Sequence, residues 1–220
     1  PFAKLAIIVP LFFALGVAMQ WMIARFRVSP LNSLLATFGV TAIIEAGIQY
    51  VWTADFRKLE STYASEKLRI GALYVPIPEL VTLAIAIALA LAIFAAMRYT
   101  DLGKAMRAVS EDGPMAAAFG VDHKRLALML SGVCGALAGI AGVCLALSYT
   151  LTPAQIYAWV GVVFAAVMLG GLGSPIGPLV AGIVIGVSEA LTAAIASPSW
   201  SPIVSFTLLI VLLLVRPGKT

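Results

Sequence analysis

The chain has 220 residues, 62% of them hydrophobic and only 11% charged, and its mean hydropathy is +1.06. A water-soluble domain of this size has too little interior to bury so much apolar surface, so the composition indicates an integral membrane protein. The formal net charge of +4 gives no reason to invoke nucleic acid, because the basic residues flank apolar segments, where the bias of Lys and Arg toward the inner face of a membrane explains them.

About twenty apolar residues cross a hydrocarbon core. That rule predicts about seven spans, near 4–24, 32–54, 76–97, 127–149, 155–171, 178–196 and 202–215. The chain opens with Pro1 almost directly into the first span, and no small-residue cleavage site precedes Trp21. This reads as a membrane crossing rather than a signal peptide, in a chain whose native N-terminus lies upstream. The second span carries Glu45 near its middle, with Gln49 one turn further on the same face. A charge in lipid costs at least a few kcal/mol. The pair is therefore a candidate polar point on a translocation path, the alternative being a hydrogen-bonded carboxyl that holds helices together. Beyond the 55–75 segment, Glu79 follows Pro76 and Pro78 and reads as an interfacial, helix-capping residue.

Between the third and fourth spans lies a polar stretch, RYTDLGKAMRAVSEDGPMAAAFGVDHKRL, residues 98–126, which holds Arg98, Lys104, Arg107, Lys124 and Arg125. The positive-inside bias puts it in the cytoplasm, with the 55–75 segment outside and the Arg216 to Lys219 tail inside. Its pattern predicts two short helices. Asp101 can cap the first, which carries Lys104 and Arg107. Asp112, Gly113 and Pro114 can start the second, with Pro114 at the first helical position, and Gly120 suits its end. A rigid helical knob just outside the membrane domain is the expected result.

Glycine dominates the chain beyond residue 126. Gly132, Gly135, Gly139 and Gly142 recur at three- and four-residue steps, which keeps them within roughly an 80° arc of one helix. Such a bare face lets a second helix approach closely. The cluster Gly170 to Pro178 joins two spans and precedes Gly182 and Gly186, a further small-residue step. A phosphate cradle is rejected for the cluster, since no Walker Lys-Ser/Thr and no preceding strand accompany it; a tight turn between packed spans is the expectation. Glu189 beside Ser188 is a second intramembrane carboxylate and a second candidate for the path.

Catalysis and metal binding find no support. His123, the single histidine, stands among Asp122, Lys124 and Arg125 at a helix start. Cys134 and Cys144 are ten helical residues apart, roughly 15 Å, too far for a disulfide. No metal-ligand spacing, nucleophile elbow or zinc-protease motif occurs, so no cofactor is expected.

The run TDLGKAMRAVSEDGPMAAAFGVDHKRL, the span SGVCGALAGIAGV, the segment AAVMLGGLGSPIGPLVAGIVIGVSEAL and the closing RPGK together resemble the permease subunits of bacterial branched-chain amino acid ABC transporters, the Liv type. The second span, SPLNSLLATFGVTAIIEAGIQYVW, is similar to the family's SP-x-x-x-x-LATxG segment; Glu45 departs from the neutral amide expected there. The resemblance implies an all-α, polytopic helical bundle, a single permease domain over 1–220, in the bacterial inner membrane. It implies transport of leucine, isoleucine or valine, with urea, short amides or another small solute as alternatives within the same superfamily; the reading from a different class is a channel or membrane scaffold. It also implies partners: a second permease subunit, two ATPase subunits and an extracytoplasmic binding protein. In the loop 98–126 the resemblance implies a coupling element, a short helix that docks in a groove of an ATPase subunit: Glu111 and Asp112 would start it, with Pro114 at its first helical position, Ala116, Ala117 and Ala118 would form its small-residue face, and Gly120 would end it.

Overall fold

The computed structural model describes residues 2–26, 30–53, 67–70, 73–153, 156–171 and 176–195, with isolated helical residues at 203, 207 and 210. Eight helices occur among them: α1 (Phe2–Arg25), α2 (Pro30–Trp52), α3 (Ile77–Tyr99), α4 (Asp101–Glu111), α5 (Gly113–Ala118), α6 (His123–Ser148), α7 (Ile156–Gly170) and α8 (Ile176–Ile195). The all-α expectation stands. A small addition is an antiparallel hairpin of β1 (Lys67–Ile70) and β2 (Leu73–Pro76), whose backbone register pairs Leu68 with Val75 and Arg69 with Tyr74.

Among the described residues five helices are long and apolar enough to cross a membrane: Leu5–Arg25, Asn32–Trp52, Ile77–Tyr99, His123–Ser148 and Ile176–Ile195. The protein is a multi-pass membrane protein. α7 has 15 residues, a rise of about 22 Å, and falls short of the roughly 30 Å core. The expected span at 202–215 lies outside the described residues apart from 203, 207 and 210. α6 begins at His123 rather than near 127 because the Asp122 carboxylate caps it there, accepting from the Lys124 and Arg125 N–H groups at 2.9 and 3.3 Å. Its 26 residues extend about 39 Å, so more than a turn continues beyond a bilayer core as rigid helix.

The chain divides into two compact units, one of Pro1–Thr82 with Met97–Ala154, the other of Leu83–Ala96 with Gln155–Thr220. In the first, α1 packs along the glycine face of α6. A Cβ placed on Gly132 would sit 2.6 Å from a ring carbon of Phe13, one on Gly139 would sit 3.0 Å from Phe12 Cβ, and one on Gly135 would run into the Phe12 carbonyl oxygen. The approach is mutual, since a Cβ on Gly16 would strike the Ser131 carbonyl. Lipid supplies no hydrophobic drive to bring helices together, so close van der Waals fit holds this pair. A hydrogen bond from Ser131 Oγ to Gln20 Oε1, 3.3 Å, adds to it.

The second unit contains the α7–α8 pair. Gly170 and Gly177 cross backbone to backbone: a Cβ on either would overlap the main chain of the other. Ala165, Ala181 and Ile185 are buried here. Gly142, Gly182 and Gly186 meet no described atom within 4 Å of a built Cβ. The close packing expected of those three is thus not made among the described residues. Periodicity alone cannot tell which end of a glycine stripe a crossing helix uses, and in α8 the crossing falls at Gly177, five residues before Gly182.

Candidate functional site

The polar loop is a chain of capped helices with each junction fixed. At its start, Thr100 is the N-cap of α4, its hydroxyl accepting from the Gly103 N–H at 3.2 Å. Asp101, expected as the cap, is the first helical residue and instead pairs with Lys104 at 2.9 Å. Both groups are exposed, so the pair adds little to stability; the hydrogen bond and charge of Lys104 hold the Asp101 carboxyl below the usual carboxylate range. Gly103 lies against the last turn of α3, where any Cβ would overlap the Met97 backbone. The Arg107 guanidinium donates to the Met97 carbonyl, satisfying an orphan C=O at the C-terminus of α3 with a charge the helix dipole favours. α4 is thereby locked to the end of a membrane helix.

Asp112 serves two helices. Its N–H donates to the Ala108 carbonyl and closes α4, while its carboxylate accepts from the Met115 N–H at 3.0 Å and opens α5. Glu111, expected to start the second helix, is the last residue of the first. Pro114 is the second residue of α5 rather than the first, a position where the missing N–H still costs nothing because the first turn has no intrahelical acceptor. The far end is a Schellman motif: Val121 N–H donates to the Ala116 carbonyl at 3.1 Å and Gly120 N–H to Ala117 at 3.0 Å. Gly120 has φ +90°, a conformation that a Cβ opposes. His123 Nε2 then donates to the Gly113 carbonyl at 2.9 Å, tying the start of α6 to the start of α5. Each of the N-cap side chains, Thr100, Asp112 and Asp122, contributes about 1 kcal/mol.

Such bracing fixes which side of α5 faces out. Three successive residues of a helix are about 100° apart and cannot share a face. Ala116 is 5% exposed and turned inward, whereas Ala117 and Ala118 are exposed, so the small-residue face expected of all three is split. What α5 and its C-cap present outward is apolar, within an otherwise polar loop: Met115 is 58% and Phe119 84% exposed. Neither was singled out from sequence, although an aromatic residue in a polar loop, next to a helix-ending glycine, was the available signal.

A second feature runs along α2. Ser33, Thr37, Thr41 and Glu45, at four-residue steps, are all half-buried, while Leu34, Leu35, Phe38, Ile43 and Ile44 are exposed. The polar ribbon is thus the more sheltered side, and the apolar side is the exposed one. Thr37 donates to the Leu34 carbonyl at 2.8 Å and Thr41 to that of Thr37 at 2.9 Å, which leaves each hydroxyl oxygen as an acceptor. Gln49 is exposed and donates to Glu45 at 3.2 Å. Thr37 and Thr41 were not anticipated, because a mid-helix threonine is easily read as neutral filler. In the second unit Glu189 is half-buried on α8, with Ser188 bonded back to the Val184 carbonyl at 2.7 Å. Among the described residues no group of three His, Cys, Asp or Glu side chains could hold a metal ion, and Cys134 and Cys144 are both free.

The family described as branched-chain amino acid transport system, permease component, matches residues 2–213. The chain belongs to it. Among relatives, it is similar to the high-affinity branched-chain amino acid transport system permease protein LivH of Salmonella typhimurium, 40% identical over 59% of this chain and 42% of that protein. It is also similar to the corresponding protein BraD of Pseudomonas aeruginosa, 35% identical over 53% of this chain and 38% of that one. A probable LivH of Methanocaldococcus jannaschii is 31% identical over 60% of this chain and 44% of its own length. The matches thus cover less than half of each of these relatives. No solved structure matches the chain.

Proposed function

We propose that this protein is the transmembrane permease subunit of an ABC importer for branched-chain amino acids, in a bacterial inner membrane, with loop 98–126 and the C-terminus on the cytoplasmic side. The observation that carries the mechanism is the outward apolar face of α5, Met115 and Phe119, on a helix braced at both ends. An exposed Phe on a polar loop gains about 0.025 kcal/mol per Å² only when a partner covers it, and a separate ATPase subunit with an apolar groove is the partner such an element serves. Closing of two ATPase subunits would push α5; the push would pass through the His123 to Gly113 bond into α6 and through Gly103 and Arg107 into α3. Rigidity is what lets a local displacement reach the membrane. A second permease subunit would complete the path, and an extracytoplasmic binding protein would deliver the solute.

Along that path the α2 ribbon offers acceptors, the hydroxyl oxygens of Thr37 and Thr41 and the carboxylate of Glu45, that suit the ammonium group of a zwitterion. The apolar surroundings suit its aliphatic side chain. Uptake of labelled leucine by proteoliposomes holding the whole complex tests the reading. ATP-dependent accumulation of leucine, isoleucine and valine is the expected outcome. Accumulation of urea or a short amide in their place would transfer the assignment to that solute class, and passive flux without ATP would assign a channel.

A further inference from the structure

Where the C-terminal end of α1 meets the N-terminal end of α6, the first unit opens a cleft of about 440 Å³. Three basic residues line it, Arg25, His123 and Lys124, with Gln20 and Trp21 beside them, and its remaining wall includes Ala24 and Leu128. Arg25 and Lys124 are exposed, and neither forms an ion pair with a described residue; the Asp122 carboxylate nearest in sequence is engaged by Arg125 at 3.3 Å and by backbone N–H groups. His123 donates through Nε2 to the Gly113 carbonyl, so its ring is held in place at the edge of the cleft.

We propose that this cleft binds the headgroup of an anionic phospholipid. Two cations without a described carboxylate partner converge on a concave site, which favours a phosphate oxygen over a neutral or zwitterionic group. The cleft sits where two membrane-crossing helices end, the depth at which phosphates lie, and Trp21, 59% exposed, has the amphipathic ring that settles at that level. Ala24 and Leu128 continue the wall into the apolar length of α1 and α6, so an acyl chain has a surface to follow. That continuity commits the site to a lipid rather than a free phosphate. The site differs from the α5 face, and its occupation would brace the junction of α1 with the base of α6, which His123 shares with α5.

Native mass spectrometry of the purified complex, titrated with phosphatidylglycerol, phosphatidylethanolamine or inorganic phosphate, tests this. The wild-type protein is expected to retain phosphatidylglycerol in preference to phosphatidylethanolamine, and Arg25→Gln with Lys124→Gln to lower that preference about thirtyfold. Arg25→Lys with Lys124→Arg should keep it, and Lys104→Gln, a charge removed away from the cleft, should change it less than about twofold. Each variant is checked for an unchanged melting temperature. Equal retention by the double Gln variant, equal loss on Lys104→Gln, or displacement of the lipid by inorganic phosphate would overturn the proposal. So would a cross-link from Trp21 to a protein segment filling the cleft in the intact complex.

Discussion

Replacing Phe119 with Ala separates a docking role from a structural one more cleanly than any other change in the loop. The ring is 84% exposed, so its removal takes away almost no contact within the chain, and the Schellman bonds from Gly120 and Val121 use backbone atoms only. Stability should therefore shift by less than about 0.5 kcal/mol, the ordinary range for a surface substitution. Docking is a different matter. Fully burying a Phe side chain is worth roughly 1.5–3 kcal/mol, and an aromatic anchor seated in a partner's pocket often exceeds about 2 kcal/mol on truncation. A loss of about 2 kcal/mol weakens ATPase binding roughly thirtyfold. The assay is titration of the purified ATPase subunit onto the permease in nanodiscs, with a thermal melt of each permease alone. An affinity within about threefold of wild type at an unchanged melting temperature would refute the claim that this face docks a partner.

The packing and the caps set three further outcomes. Gly135→Ala should lower the melting temperature by several degrees, because its Cβ meets the Phe12 carbonyl and forces α1 from α6, while Gly142→Ala, with nothing within 4 Å, should be neutral or slightly stabilising through helix propensity; differential scanning in detergent decides. Gly120→Val should uncouple ATP hydrolysis from uptake in proteoliposomes, since a β-branched residue resists φ +90° and the exit from α5 must reorganise; normal coupled uptake would count against the motif's role. With Cys134 and Cys144 replaced by Ala, a cysteine at Ser110 should resist an impermeant thiol reagent in intact cells and one at Ser65 should react, and labelling in the opposite sense would invert the orientation.

Much of this architecture was readable from residue types. The apolar runs placed six helices to within about four residues at each end, because twenty apolar residues in a row admit few other solutions in lipid. Asp112 and Gly120 were readable for the same kind of reason: each has a backbone requirement that few residues satisfy. What escaped was phase and competition. Thr100 and Asp101 are both good caps, and only the geometry at the end of α3, with Gly103 pressed on Met97, selects Thr100. Ala116, Ala117 and Ala118 are chemically identical, so composition could not say which one turns inward. The KLRIGALYVP stretch carries a glycine-containing turn between two short β-prone runs, but strands of four residues are too short to register against the neighbouring apolar span. Glycine stripes show where a helix can be approached, and the partner's position decides where it is.

Glu45 provides the sharpest test of the path. Its carboxylate accepts from Gln49 and ends the half-buried ribbon that begins at Ser33, so a structural and a functional role predict different behaviour for two substitutions. Glu45→Gln keeps the shape and a hydrogen-bonding oxygen but cannot ionise. If the carboxylate meets the ammonium group of the passing solute, this variant should assemble at wild-type yield yet transport at least about tenfold more slowly, a loss of about 1.4 kcal/mol from a charge-assisted bond. If the carboxylate only holds helices together, Glu45→Gln should transport normally, and Glu45→Leu alone should reduce the yield of complex by leaving a polar partner unsatisfied. Uptake measured over a pH series, with complex yield in parallel, separates the two. Wild-type uptake by Glu45→Gln at every pH would remove Glu45 from the path and leave the ribbon's two threonines without their charged terminus.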